Sequence, residues 1–192
     1  MNRRRIKMSE TTNELYTSRP DCHGRLEKEI QCYDFLEQHE IPFTGIDHPA
    51  AMTVDDCHDA DKKLGIHICK NLFLCNRQKT AFYLLLMPGK KTFKTKQLSS
   101  QIQTARLSFA SPEYMEKLLN LTPGSVTIMG LMFDPEQKVQ LLIDRDVLSE
   151  EYFGFHPCIN TSSLKITTKD LMEKLVPALG HTPIFVDLTE ED

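Results

Sequence analysis

The 192-residue sequence lacks the short motifs that mark many common enzyme folds. It contains no Gly-x-Gly-x-x-Gly, no P-loop and no Gly-x-Ser-x-Gly, which argues against the usual nucleotide-binding turns and the α/β-hydrolase nucleophile elbow. No apolar run approaches the ~20 residues that span a bilayer, and no apolar segment follows the basic N-terminus to form a secretory signal. We therefore expect a soluble protein.

The six cysteines form no Cys-x-x-Cys pair, and two of them lie inside apolar runs where a reduced thiol packs as a small hydrophobic side chain. This usage predicts a reducing, cytoplasmic compartment. We expect no cofactor, and no metal because the sequence shows no ligand cluster. The formal net charge of −4 argues against a globally basic nucleic-acid binder, although it leaves room for a local basic patch.

Hydrophobic periodicity predicts a flexible tail over residues 1–24 and one domain over residues 25–190. Strands paired as hairpins and interrupted by separate helices predict an α+β fold, with a mixed, mostly antiparallel central sheet and helices packed around it. The predicted helices cover 25–39, 54–64, 97–104, a segment starting at Ser111-Pro112, and 168–179. The predicted extended segments cover 41–49, 106–110, 125–129, 139–143, 164–167 and 183–188.

The centre of the sequence is a predicted hairpin formed by residues 67–76 and 81–87, two apolar runs separated by a short polar break. Lys70 and Asn71 are the polar exceptions in the first run. A lysine at the start of a buried strand either extends to solvent or has an anionic partner, because an unpaired buried ammonium is costly. Both alternatives are open from spacing alone.

Two further segments carry candidate chemistry. Residues 152–161 place Gly154 and Pro157 around His156, which predicts a rigid loop whose backbone N–H groups bind an anion, or else a simple turn between strands. A lysine cluster follows Pro88-Gly89 and is either a solvated face or a set of phosphate contacts, formed by Lys90, Lys91, Lys94 and Lys96.

Four motifs in order resemble one family: His48-Pro49, the run 70–74, the Leu-Thr-Pro-Gly-Ser-Val run 121–126, and the 154–157 motif with Asn160-Thr161. The sequence is similar to the YbaK/ProX family of aminoacyl-tRNA deacylases, relatives of the editing domain of bacterial prolyl-tRNA synthetases. The similarity covers residues 25–188, and its Lys-Asn pair and Gly-Phe-His-Pro segment are most similar to the branch that hydrolyses alanyl-tRNA(Pro).

The resemblance implies the fold of that editing domain and a trans-editing hydrolase without metal or protein nucleophile. Water attacks the aminoacyl ester with help from the substrate ribose hydroxyl, while backbone amides of the glycine loop, including Gly154, hold the carbonyl. Lys70 then binds the terminal phosphate, Asn71 bonds the aminoacyl group or ribose, and His156 orients the substrate.

The resemblance also implies tRNA as a partner, with prolyl-tRNA synthetase as a further partner and a homodimer left open. The candidate wall that excludes proline by size consists of Met52, Val54 and Phe73, each of which is equally explained as core. Pro157 and Asn160 complete the predicted substrate contacts. The alternative substrate is cysteinyl-tRNA(Pro).

Three rival functions remain at this point. A cysteine hydrolase would pair Cys158 with His156, two residues apart on an extended segment, but no orienting group is evident. A metal site is disfavoured because the adjacent Cys-His pairs at 22–23 and 57–58 lack ligand spacing. A non-catalytic RNA- or synthetase-binding module would have the fold without the activity.

Overall fold

The computed structural model describes residues 14–50 and 58–189. Within these ranges nine strands alternate with helices. The strands are β1 (Leu15–Tyr16), β2 (Thr44–Asp47), β3 (Lys70–Cys75), β4 (Phe82–Met87), β5 (Ser108–Phe109), β6 (Val139–Asp144), β7 (Tyr152–Phe155), β8 (Ser162–Thr167) and β9 (Ile184–Val186). The first four helices are α1 (Glu27–Gln38), α2 (His58–Leu64), α3 (Thr95–Gln101) and α4 (Pro112–Leu119).

The described strands form two sheets rather than one. The small sheet has the order β1-β2-β8-β7 and is antiparallel throughout, whereas the large sheet has the order β5-β3-β4-β6-β9. In the large sheet β3 pairs antiparallel with β4 and β5, and β6 runs parallel to β4 and β9. The predicted α+β class with mostly antiparallel pairing is confirmed.

The large sheet is buried on both faces. One face packs on the small sheet through a cluster that includes Phe73, Leu84 and Phe153. The other face packs with α3 through a second cluster that includes Leu74 and Leu98. A sheet covered on both sides requires strands that are apolar at consecutive positions, which is why β3, β4 and β6 are nearly continuous apolar runs.

The predicted central hairpin is confirmed, with all six residues of β3 paired to β4. The turn is held by Asn76, whose side-chain oxygen accepts from the backbone N–H groups of Thr80 and Ala81 at 2.9 and 3.2 Å. Lys79 adopts a left-handed backbone (φ 56°) in this turn. An asparagine that bonds the backbone a few residues ahead is a common way to close such a turn.

The predicted flexible tail, residues 1–24, contributes one short strand within its described part, residues 14–24. Leu15 and Tyr16 form β1 and pair with Ile46 and Gly45 of β2. The Tyr16 ring lies so close to Gly45 that a Cβ atom there would sit 2.3 Å from the ring. Glycine at position 45 permits this approach because it has no side chain. The sequence did not predict β1 because a pattern of two residues is too short to indicate a strand.

Two predicted extended or loop segments also differ. Residues 125–129 do not form a strand. Instead, a 3₁₀ helix spans Ile128–Phe133, and Thr127 caps its N-terminus with a hydroxyl that accepts from the Met129 N–H at 3.4 Å. A short, fully buried apolar run does not distinguish strand from helix. In the predicted rigid loop 152–161, the first four residues are the edge strand β7, so the loop itself covers 156–161.

The remaining predicted elements match in place, with ends shifted by a few residues. Helix α2 matches the end of predicted helix 54–64, whose first residues lie outside the described ranges. The last helix is continuous but changes pitch, from α over Thr168–Asp170 to π over Leu171–Leu175 and back to α over Val176–Ala178. Across the described ranges, every helix is too short or too polar to cross a membrane.

Candidate active site

Lys70 and Asn71 are the first two residues of β3, and they face opposite sides of the large sheet because successive side chains in a strand alternate. Lys70 is on the side of the second cluster, where its ammonium donates to the Lys91 carbonyl at 2.8 Å. Within the described ranges no carboxylate lies within 4.0 Å of this ammonium. A half-buried cation with three donors therefore retains capacity for an anion.

Asn71 faces the main core, on the same side as Phe73. Its amide nitrogen donates to the Cys69 carbonyl at 3.1 Å, whereas its buried side-chain oxygen has no hydrogen-bond partner. A buried acceptor without a donor costs on the order of 1–3 kcal/mol. An acceptor that the fold leaves unsatisfied is suited to receive a hydrogen bond from a ligand.

His156 lies at the start of the loop 156–161. Its Nδ1 donates to the Ser162 carbonyl at 2.9 Å, which fixes the proton on Nδ1 in the neutral ring, and its own carbonyl accepts from the Thr127 hydroxyl at 2.7 Å. Burial lowers the pKa of His156, although the bond to Ser162 opposes the effect. The ring centroid of His48 lies 6.2 Å away, and His48 Nε2 is 2.8 Å from the Ser163 hydroxyl.

A partly buried polar network supports this loop from the small sheet. Asp47, the last residue of β2, accepts from the hydroxyls of Ser162 and Tyr16 at 2.6 and 3.2 Å and forms an ion pair with Arg25. Burial opposes ionisation, but the bonds from Arg25 and Ser162 keep the pKa of Asp47 below its ordinary value. Sequence reasoning missed this network; the only available signal was an aspartate directly before His48.

Gly154 connects the loop to the entry of β3. It lies in β7, where a Cβ atom would be 2.4 Å from the Ile66 side chain and 3.2 Å from that of Ile68. The absence of a side chain lets the segment before β3 lie directly on β7. Lys70 follows Ile68 by two residues and His156 follows Gly154 by two, so this contact brings the two predicted motifs together.

The predicted substrate wall is only partly described. Met52 and Val54 lie outside the described residues. Phe73 is 2% exposed and stacks on Phe82 with ring centroids 5.8 Å apart, which favours the core alternative, and its place in the wall stays a prediction. Pro157 is buried and Asn160 half-buried in the loop after His156, and their substrate contacts remain predictions.

The four predicted phosphate-binding lysines divide into two groups. Lys90, Lys94 and Lys96 are exposed. Lys91 instead bonds the buried Asp144 and the exposed Asp146 at 2.8 and 2.7 Å. Desolvation opposes the charge of Lys91, but these bonds raise its pKa. Two carboxylates already neutralise Lys91, so the structure corrects its assignment from a phosphate contact to an internal ion pair.

The cysteine-hydrolase alternative is disfavoured by the position of Cys158. Its thiol is fully buried and lies 3.3 Å from the Cys32 sulfur, away from solvent. A reactive cysteine is partly exposed in an electropositive setting, and this thiol is neither. Among the described residues, no group of three or more His, Cys, Asp and Glu side chains is placed to hold a metal ion.

Two open clefts adjoin the start of β3. One has a volume of about 490 Å³, and its lining includes Ile66, His67, one lysine (Lys62) and three acidic residues, Asp61, Glu150 and Glu151. Its acidic lining suits a cationic group and repels phosphate. The other, of about 570 Å³, is lined by Lys90 and Lys91 and also by the acidic residues Asp144, Asp146, Glu150 and Asp187, next to the carbonyl that Lys70 binds.

This arrangement was compared with known proteins. The family model of the aminoacyl-tRNA editing domain matches residues 48–174, a segment that includes Lys70, Asn71, Gly154 and His156. The chain therefore belongs to the aminoacyl-tRNA editing domain family, and the predicted resemblance to YbaK/ProX deacylases is confirmed. Its enzyme class is that of the aminoacyl-tRNA deacylases.

Similar proteins of known sequence and structure agree with this assignment. The prolyl-tRNA editing protein ProX of Acetoanaerobium sticklandii is 30% identical over 153 residues, which are 80% of this chain and 93% of the relative. Prolyl-tRNA synthetase associated domain-containing protein 1 of Danio rerio is 27% identical over 163 residues, which are 84% of this chain and 86% of that protein. The crystal structure of a candidate trans-editing enzyme for prolyl tRNA synthetase superposes with TM-score 0.65 at 18% identity, over 86% of this chain and 99% of that chain, and supports the fold.

The lowered pKa of His156 predicts a pH-dependent contribution to stability. The unfolded chain binds a proton at this histidine near pH 6.5, while the folded chain binds it only at lower pH. The contribution of the neutral ring is therefore complete above about pH 6.5 and is lost as pH falls towards the folded-state pKa. In urea unfolding at pH 7.5 and 5.5, the stability advantage of the wild type over His156→Asn should shrink on acidification.

The same substitution at exposed His23 provides the control for urea unfolding. An advantage over His156→Asn that stays constant or grows at pH 5.5 would contradict the neutral, desolvated ring.

Proposed function

We propose that the chain is a trans-editing hydrolase that deacylates mischarged tRNA(Pro), with alanyl-tRNA(Pro) as its main substrate. The names of its relatives, which refer to prolyl-tRNA editing and to prolyl-tRNA synthetase, support the choice of tRNA. The family assignment supports hydrolysis of the aminoacyl ester. Prolyl-tRNA synthetase, which would produce such mischarged tRNA, is the proposed protein partner.

The observation that carries this proposal is the buried, unsatisfied side-chain oxygen of Asn71. An aminoacylated adenosine presents two kinds of donor, the α-ammonium group and the ribose hydroxyl, either of which satisfies an amide oxygen. An aminoacyl-tRNA can therefore donate the hydrogen bond that the Asn71 oxygen lacks in the folded protein.

Lys70 supplies the complementary charge on the other side of the strand. Its ammonium has one carbonyl partner and, among the described side chains, no carboxylate within 4.0 Å, so a terminal phosphate of the tRNA is a suitable anion. Because Lys70 and Asn71 face opposite sides of the sheet, one substrate contacts both only by lying across the N-terminal end of β3. The acidic cleft beside Ile66 then receives the cationic amino group.

In the proposed reaction, a water oxygen bonds to the ester carbonyl carbon while the bond from that carbon to the ribose oxygen breaks. The water proton passes to the ribose oxygen with help from the neighbouring ribose hydroxyl, leaving free amino acid and uncharged tRNA. Backbone N–H groups stabilise the negative charge that develops on the carbonyl oxygen.

We assign the stabilising amides to the loop 156–161 rather than to Gly154, which is part of a paired strand. Cys158 has a left-handed backbone (φ 61°) in this loop, a conformation that turns successive N–H groups towards one point. His156, held by Ser162 and Thr127, orients the substrate beside them. Gly154 contributes by letting β7 approach the start of β3.

Exclusion by size explains the preference for alanine. A synthetase site built for proline discriminates poorly against a smaller side chain, because each missing methylene is worth only about 1–3 kcal/mol. An editing site that is too small for proline removes alanine and spares the correct product. Met52 and Val54 remain the proposed residues of the wall.

A panel of aminoacylated tRNA(Pro) tests the substrate. Purified protein should hydrolyse alanyl-tRNA(Pro) at least ~10-fold faster than prolyl-tRNA(Pro), a difference of about 1.4 kcal/mol in transition-state binding. Seryl- and cysteinyl-tRNA(Pro) complete the panel. Faster hydrolysis of the cysteinyl ester would replace the alanyl assignment, and hydrolysis of none would refute the proposed function.

Replacing Asn71 by leucine tests the carrying observation. The substitution removes an unsatisfied buried acceptor together with one short-range bond to Cys69, so thermal stability should equal or exceed that of the wild type. Deacylation should nevertheless fall at least ~10-fold. Asn71→Asp retains an acceptor and should keep more activity than the leucine variant. Normal activity with a lower melting temperature would show that the side chain is structural.

Replacing Lys70 by alanine should reduce deacylation by orders of magnitude, because the substrate loses its phosphate contact. The protein should stay folded, because the fold loses only the bond from Lys70 to the Lys91 carbonyl. Lys138, which is 55% exposed and paired with Glu136, provides a control lysine for the same assay. A loss below ~10-fold, about 1.4 kcal/mol, would contradict the role of Lys70.

A further inference from the structure

One segment of this acidic chain is uniformly basic. Residues 88–112 contain five Lys and Arg residues and no Asp or Glu, whereas the whole chain has a net charge of −4. The charge of Lys91 is already paired with Asp144 and Asp146. The other four cations are exposed: Lys90, Lys94, Lys96 and Arg106.

The same segment, residues 88–112, contributes two aromatic rings. Phe109, on the edge strand β5, is 63% exposed, the largest exposure of any bulky apolar side chain in the described ranges. The partly buried ring of Phe93 lies edge-on to it, with centroids 6.0 Å apart. The Phe93 ring is supported from below by the second cluster, so the pair is a firm aromatic surface rather than a single mobile side chain.

The register of the large sheet relates this surface to the proposed active site. Phe109 lies directly opposite Leu74 on β3, and residues opposite each other in a strand pair share a face. Lys70 is four residues before Leu74 and is therefore on that face too, roughly 13 Å away along the strand. Lys70 and the two phenylalanine rings therefore lie on the same side of the large sheet, close enough for one strand of nucleic acid to contact both.

We propose that the surface formed by Phe93, Phe109, Lys94, Lys96 and Arg106 binds the single-stranded 3′ end of the tRNA substrate. Bases stack on the exposed phenylalanine face while the cations contact the backbone phosphates. Exposed aromatic rings interleaved with cations are the usual means of binding single strands without sequence readout. The inference rests on the proposed function, because it extends the path of the same substrate beyond Lys70.

Charge favours RNA over a second copy of the chain as the occupant. A twofold contact would bring each patch onto its own copy, so the exposed lysines and Arg106 of both subunits would face one another. Such juxtaposition of like charges is unfavourable, whereas a phosphate backbone neutralises the same groups and releases counterions.

The experiment measures binding of a fluorescein-labelled single-stranded RNA that carries the 3′ CCA end of tRNA(Pro) and no amino acid. Phe109→Leu keeps an apolar side chain but removes the ring face, and should raise Kd about 5- to 150-fold, as stacking contributes about 1–3 kcal/mol per base. Phe109→Trp should bind as tightly as the wild type or more tightly. Ile184→Ala, at an exposed position on the opposite edge strand, is the matched control and should leave Kd unchanged.

Salt dependence separates stacking from charge. The Phe109→Leu variant should keep the wild-type slope of log Kd against log salt. The double variant Lys94→Gln, Lys96→Gln should reduce this slope by about 1.4, because each phosphate contact on a single strand contributes about 0.7. An unchanged slope in the double variant would overturn the assignment of the cations.

The outcomes distinguish this surface from the proposed function. Wild-type protein that binds the RNA but deacylates nothing would refute the function and leave the surface standing. If the wild type deacylates its substrate but Phe109→Leu binds the RNA with the wild-type Kd, the proposed surface is wrong and the proposed function stands. Sedimentation gives the remaining outcome: a wild-type dimer that Phe109→Leu dissociates would identify the patch as a self-interface and overturn the proposal.

Discussion

The burial of the large sheet on both faces is the constraint on which the rest of the structure depends. Side chains at odd positions of β3 face the small sheet, and those at even positions face α3, so the strand interior admits apolar residues on both sides. Polar side chains are confined to the strand ends. Lys70 and Asn71 lie at such an end, where the chain exposes a cation to one side and leaves a buried acceptor unsatisfied on the other.

The small sheet holds the second half of the candidate site. Gly154 lets β7 lie against the segment that enters β3, and the loop after it is fixed through Ser162 to Asp47. The N-terminal strand adds Tyr16 to the same carboxylate, so residues outside the family-model match help to hold the loop. The residues of the candidate site are therefore positioned by both sheets.

Secondary-structure elements with a local sequence pattern could be predicted from the sequence alone. The hairpin, α1 and α4 could be predicted from apolar runs, turn residues and a proline at a helix start. The role of Thr127 could not, because a buried apolar run is compatible with strand or helix, and its bond to His156 links distant parts of the chain. Lys91 shows the same limit within the site: its neighbours in sequence are cations, but its partners are carboxylates more than fifty residues away.

The central claim is that substrate binds across the N-terminal end of β3. Its most direct test is NMR titration with a non-hydrolysable analogue, adenosine carrying alanine through a 3′ amide, while the side-chain amide resonance of Asn71 is followed. We expect a saturable shift of that resonance as its oxygen gains a donor, with the side-chain amide of Asn76 in the hairpin turn unaffected. Saturable binding that leaves the Asn71 resonance unchanged would contradict the account.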